Sequence, residues 1–129
     1  MACFRQEEAK KMTPVFICYS KCTTCQKAKK WLEAHGIAFQ ERPIKEQNPT
    51  RDELRAWQAQ SGLPLRKFFN TSGQLYRQME LTKKLPEMTE EEMLTLLVTD
   101  GMLVKRPLLV TEDSVLVGFR EAAWEQALT

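Results

Sequence analysis

The first patterned stretch of the chain is Val15 to Tyr19, VFICY, apolar at every position. Such a run suits a strand covered on both faces, although so short a run also fits a turn of helix. From Thr23 the rhythm changes. Cys25, Ala28, Trp31 and Leu32 recur at three- and four-residue spacing, with Lys27, Lys29, Lys30 and Glu33 between them. That spacing predicts an amphipathic helix, stopped at His35-Gly36 where glycine serves the cap. Ile37 to Phe39 and on to Ile44 reads as a second strand, weakened by Pro43, which has no N–H for a ladder. Strand, short helix and strand make a right-handed β-α-β unit with parallel strands.

Residues 50–100 read as almost entirely helical. Thr50 with Glu53, and Thr89 with Glu92, have the capping-box spacing in which hydroxyl and carboxylate each satisfy an orphan backbone N–H. Leu54 and Trp57 form the first buried stripe, and Gly62 ends it. Pro64 restarts a helical turn carrying Leu65, Phe68 and Phe69 before the turn Asn70-Thr71-Ser72-Gly73. A short helix around Leu75–Met79 follows, then one bearing Met93, Leu94 and Leu97 with a stop at Asp100-Gly101. Met102 to Thr111, broken by Pro107, then Glu112-Asp113-Ser114 and Val115–Val117, reads as a hairpin. Gly118 ends it. Arg120 to Leu128 forms a last helix with Ala123, Trp124 and Leu128 on one side. The order is β-α-β, a helical insertion, then β-β-α: an α/β chain with a mixed four-stranded sheet.

A length of 129 residues with 43% hydrophobic content fits one domain with a real core. Lys plus Arg total 19 against 17 for Asp plus Glu, a net charge of +2, too balanced to require nucleic acid or a charged membrane as partner. Any anion site must be local. The segment MACFRQEEAKKMT has no apolar core of a signal peptide, and no apolar run approaches a membrane span. A reducing, cytoplasmic setting is expected, in which Cys3, Cys18, Cys22 and Cys25 stay free of a structural framework. Residues 1–13 read as an N-terminal extension and a candidate for disorder, residues 14–129 as the domain.

The chemistry concentrates at Cys22-Thr23-Thr24-Cys25, where the first strand gives way to the helix. A thiolate at a helix N-terminus faces unpaired N–H groups and the positive end of the dipole, which lowers its pKa. Lys21 adds a positive charge beside it. Cys22 is then the attacker, and Cys25, a turn deeper, can resolve a sulfur-bound adduct as an intramolecular disulfide that an external reductant reopens. A Cys-x-x-Cys between strand and helix is the mark of a thioredoxin-like redox motif. Two alternatives stand beside it: inert buried thiols, and a metal half-site, which lacks two further ligands at suitable spacing. Cys18 reads as core and His35 as a helix-end residue. Lys105-Arg106-Pro107 carries a proline poorly suited to a central strand, so a bend or cis peptide is expected there. In thioredoxin-like folds a cis-proline packs beside the cysteine loop, and a resemblance to them would imply Arg106 near Cys22, able to hold a thiolate or an oxyanion; the alternative is a strand-edge arginine in solvent.

With Cys22-Thr23-Thr24-Cys25, the segment Gly62-Leu63-Pro64-Leu65-Arg66-Lys67-Phe68-Phe69-Asn70, and Lys105-Arg106-Pro107 followed by Val117-Gly118-Phe119, the chain resembles the arsenate reductase/Spx family over about residues 14–128. The resemblance implies a thioredoxin-like fold with a helical insertion. It implies one of two functions. Glutaredoxin-linked arsenate reductases use a single cysteine and three arginines that hold the oxyanion, whereas Spx-type transcriptional regulators bind RNA polymerase and sense disulfide stress through a Cys-x-x-Cys. Cys22 matches the reductase cysteine and Arg106 one arginine. The other two fall on Asn70 and near Phe119, with Arg120 one position along and Arg66 a turn before Asn70 as a stand-in. Cys25 fits the regulator's switch. The reading that follows is a thiol-disulfide oxidoreductase of the arsenate reductase family, with an Spx-like regulator as the alternative. Cys22, Cys25 and Arg106 act at its centre and Lys21, Arg66, Asn70 and Pro107 support them. It needs no metal or bound cofactor, and an external thiol (glutathione, glutaredoxin or thioredoxin) is its expected reductant and partner.

Overall fold

The computed structural model describes residues 13–128, so the extension assigned to residues 1–13, Cys3 included, lies outside the described residues save for Thr13. Four strands, β1 (Val15–Cys18), β2 (Gln40–Pro43), β3 (Leu108–Val110) and β4 (Val115–Val117), form one sheet in the order β2-β1-β3-β4. β1 runs parallel to β2, with Val15 opposite Gln40 and Cys18 opposite Pro43. β3 is antiparallel to both neighbours, Ile17 facing Leu108 and Leu108 facing Val117. Among the described residues six α-helices accompany the sheet: α1 (Thr23–Ala34), α2 (Arg51–Ser61), α3 (Gln74–Gln78), α4 (Leu81–Lys84), α5 (Glu90–Leu97) and α6 (Glu121–Leu128).

The uninterrupted VFICY run is explained by a cover on each face. Phe16, Cys18 and Leu109 meet Cys25, Ala28 and Leu32 of α1 and Trp124 of α6. Ile17, Leu108 and Val110 face the opposite way, into a larger core with Leu54 and Trp57 of α2, Phe68, Phe69, and Leu94 and Leu97 of α5. Alternation along a strand sends neighbours to opposite faces, so both faces need apolar residues. Of the last helix Trp124 is deeply buried and Leu128 half-buried against the same core, while Ala123, expected on that face, is exposed.

Both capping boxes form. Thr50 accepts from the Glu53 N–H at 3.1 Å while Glu53 accepts from the Thr50 N–H at 2.9 Å, and Thr89 with Glu92 repeats the arrangement. The strand expected over Met102–Thr111 is shorter than its apolar composition suggested. Asp100 accepts from the Met102 N–H at 2.8 Å and winds Gly101–Leu103 into a 3-10 turn. Val104 pairs with Phe69 instead of the sheet. The Arg106–Pro107 peptide is cis, and β3 begins only after it. The second strand is likewise confined to Gln40–Pro43, an exposed edge on which Pro43 lies at the end.

Candidate active site

β1 ends at Cys18, and the chain turns at Tyr19, whose carbonyl accepts from the Cys22 N–H at 3.0 Å. Cys22 is the N-cap residue of α1, in extended conformation, and its carbonyl takes the first helical hydrogen bond from Gln26 at 3.0 Å. Cys25 lies within the first turn, buried, with the Tyr19 N–H directed at its sulfur at 3.4 Å. The half-exposed thiol is thus at the mouth and the buried one behind it.

The second wall comes from the other end of the chain. Phe69 and Val104 form an antiparallel bridge, extended by Asn70 N–H to Leu103 O at 2.8 Å and Lys105 N–H to Phe68 O at 2.7 Å. This short ladder joins the insertion to the segment before β3, and so brings Asn70 and Lys105 to the same depression as Cys22. Arg106 follows. Its guanidinium lies 5.1 Å from the Tyr19 ring centroid, donates to Met102 O at 3.4 Å, and keeps Nε buried without a partner. Past β4, Gly118 adopts φ +77, a conformation that side chains disfavour, and its N–H bonds Pro107 O at 2.8 Å. That turn sends Phe119 and Arg120 to the rim of the depression, which measures about 550 Å³.

Charge separates the thiols. Partial burial opposes ionisation of Cys22, but the N–H and thiol of Cys25 and the Arg106 guanidinium outweigh it, holding the pKa below the ordinary 9.0. Burial pushes Cys25 the other way; the Tyr19 N–H offsets part of this and the neighbouring Cys22 charge adds to it. Cys18 is pushed up to about 12 by burial and by Glu41, whose carboxylate accepts from its thiol at 3.6 Å. One thiol is therefore the easier to ionise and the other two the harder.

Cys22, Asn70 and Arg106 share one depression, with Cys25 behind Cys22. Arg66 is exposed on a neighbouring depression and does not line that of Cys22. Lys21 is exposed on the approach to α1. Lys105 and Arg120 line the Cys22 depression and give it two more cations than the motif reading placed there. Arg120 stands one position off the arginine the resemblance expects, and the Gly118 turn carries it in. Among the described residues no group of three His, Cys, Asp or Glu side chains is placed to hold a metal ion, and no helix is long and apolar enough to cross a membrane.

Residues 18–127 match the model of the ArsC family, spanning both cysteines, the insertion and the cis-proline segment. The chain belongs to the ArsC family. The uncharacterized protein YusI of Bacillus subtilis is 52% identical over 115 residues, covering 89% of this chain and 98% of YusI. The regulatory protein MgsR of the same organism is 35% identical, covering 81% of each. The crystal structure of an ArsC family related protein from Bacteroides fragilis superposes with a TM-score of 0.87 at 56% identity, covering 89% of this chain and 97% of that one. The fold is thioredoxin-like, as in arsenate-reductase-like ArsC proteins, and the relatives matched include a regulatory protein.

Proposed function

We propose that this ArsC-family chain is a thiol-disulfide oxidoreductase in which Cys22 attacks, Arg106 steadies the anionic sulfur and Cys25 resolves. The observation that carries the reading is the opposed ionisation of the two thiols, one lowered at a helix N-cap beside an arginine and one raised behind it. The Cys22 thiolate attacks a sulfur of the substrate disulfide, expelling one thiolate and forming a mixed disulfide. Forming that bond removes the Cys22 charge, one of the causes that holds Cys25 protonated. Cys25 then loses its proton to solvent and attacks the Cys22 sulfur, releasing the second substrate thiol and leaving a Cys22–Cys25 disulfide. Glutathione, glutaredoxin or thioredoxin, available in a reducing cytoplasm, returns the pair to dithiol.

Arsenate is a weaker substrate on this reading. Asn70 stands where the family resemblance expects an arginine, although Lys105 and Arg120 supply charge nearby. A disulfide needs a nucleophile and a resolver, both of which the site has. Alkylation of Cys22 with iodoacetamide, followed against pH, tests the proposal together with turnover of small disulfides in a glutathione-coupled assay. The expected midpoint lies below 9.0, and Cys22→Ser abolishes turnover. A midpoint at the ordinary thiol value with no turnover in the parent protein sinks it.

The 35% identity to the regulatory protein MgsR favours a second reading, a redox-switched regulator, for which the Spx resemblance suggests RNA polymerase as the partner. Recovery of polymerase that depends on the Cys22–Cys25 redox state would select it over the enzyme.

A further inference from the structure

We propose that a cationic track leading away from Cys22 receives an acidic polypeptide segment, whose disulfide is the bond that Cys22 attacks. This rests on the oxidoreductase reading and names its substrate class. Three depressions adjoin one another. That of Cys22, about 550 Å³, shares Lys105, Val117 and Arg120 with a second of about 360 Å³. The second shares Arg66, Lys67 and Thr71 with a third of about 590 Å³. Five cations thus follow one path: Arg106, Lys105, Arg120, Arg66 and Lys67. Among the described residues no carboxylate lines any of the three.

In a chain with 19 basic and 17 acidic residues this is a segregation of charge. Several cations elsewhere meet acids, Lys29 with Glu41, Arg42 with Glu53, Arg51 and Arg55 with Glu91. A groove lined by one sign of charge concentrates ligands of the other sign and speeds their encounter. The length of the track decides between ligands of similar chemistry. A small oxyanion, or a glutathione-sized disulfide, needs only the depression at Cys22, and the two beyond it would have no occupant. An extended chain uses all three. The far depression also presents Tyr76, Met88 and Met93, adaptable apolar surface for side chains between the acids. Nucleic acid offers the negative charge but no sulfur, and the track begins at a thiol.

The chemistry is the exchange already described, with the acidic segment as one half of the broken disulfide. Cys22 bonds to its sulfur and the partner thiolate leaves. Cys25 then displaces the segment as a thiol, and an external thiol reductant supplies the two electrons that restore the pair.

The test compares four disulfides of equal concentration with the full chain: a peptide rich in Asp and Glu, its Asn/Gln counterpart, a Lys-rich counterpart, and oxidised glutathione. At low ionic strength the acidic peptide is expected to be reduced with kcat/KM about tenfold above the neutral one, an advantage that falls as salt rises. In the double variant Arg66→Glu/Lys67→Glu the ratio of acidic to neutral kcat/KM collapses towards one. The salt dependence of the parent protein reads the same charge term should the variant fail to fold. Equal rates on acidic, neutral and basic peptides overturn the proposal while leaving the oxidoreductase reading intact. So does glutathione disulfide turned over as well as the acidic peptide. A duplex DNA competitor that abolishes the acidic preference by occupying the track at stoichiometric concentration overturns the choice of a polypeptide. Failure to reduce any of the four overturns both readings.

Discussion

Arg106 is held from several sides: the Tyr19 ring under its guanidinium, the Met102 carbonyl at one nitrogen, and Nε shut away from solvent with no partner. The guanidinium held there helps to lower the Cys22 pKa. Replacing it with a neutral side chain removes the positive charge beside the sulfur. Arg106→Gln is therefore expected to move the midpoint of Cys22 alkylation to higher pH and slow the reaction at pH 7. Lys21→Gln, a change at an exposed side chain, moves it less. A midpoint unmoved in Arg106→Gln would assign the lowered pKa to the helix terminus and Cys25 alone.

Among the elements, β2 and α2 are joined by one side chain that serves twice. Glu53 closes the capping box at Thr50 and also receives both terminal nitrogens of Arg42 at 2.8 Å. Arg42 in turn donates to the carbonyls of Gln47 and Asn48 and lies 5.8 Å from the Trp57 ring, so the exposed edge strand is tied to the insertion. Removing the Glu53 carboxylate loses its half of the capping box and strands a half-buried cation. Glu53→Ala is expected to destabilise by about 2 kcal/mol. Glu92→Ala, which removes only the equivalent cap contact at Thr89, loses about 1 kcal/mol or less, the two being compared by urea unfolding. Capping boxes were legible in the sequence because their geometry is local: the residues at i and i+3 contain the whole interaction. The same holds for Cys22 and Cys25 at the strand-to-helix junction. The Phe69–Val104 bridge was not legible, since a pairing between distant segments leaves no periodicity in either. Lys105 and Arg120 as cavity residues depend on that bridge and on the Gly118 turn, which is why the motif reading undercounted the cations. The apolar run from Met102 misled for the complementary reason, its residues being buried by a 3-10 turn and a bridge as fully as a strand would bury them.

At the scale of the whole molecule, two of the thiols make native stability pH-dependent. Cys18 is raised from 9.0 to about 12, and Cys25 is raised as well. A thiol that holds its proton more tightly when folded contributes stability fully present below the unfolded pKa and lost as pH rises through the folded one. Cys22 acts in the opposite sense. Unfolding by urea is thus expected to become easier between pH 9 and about 12, and Cys18→Ala is expected to flatten that decline while lowering stability at pH 7 through the lost packing. A slope unchanged in Cys18→Ala would place the alkaline loss elsewhere in the chain.

α1 begins without a side-chain cap. Cys22 holds the position that serine, threonine, asparagine or aspartate fills best, and its neutral thiol makes no capping hydrogen bond of ordinary geometry. The facing Cys25 N–H finds a good acceptor only once the sulfur is ionised. Folding and reactivity therefore select different residues at one place. Cys22→Ser, inert as a redox centre, is expected to be the more stable protein by up to about 1 kcal/mol when both are unfolded in the reduced state at pH 7. A library of this chain screened for heat resistance alone would discard its reactive sulfur early, and would deliver a sturdier molecule with nothing left to exchange.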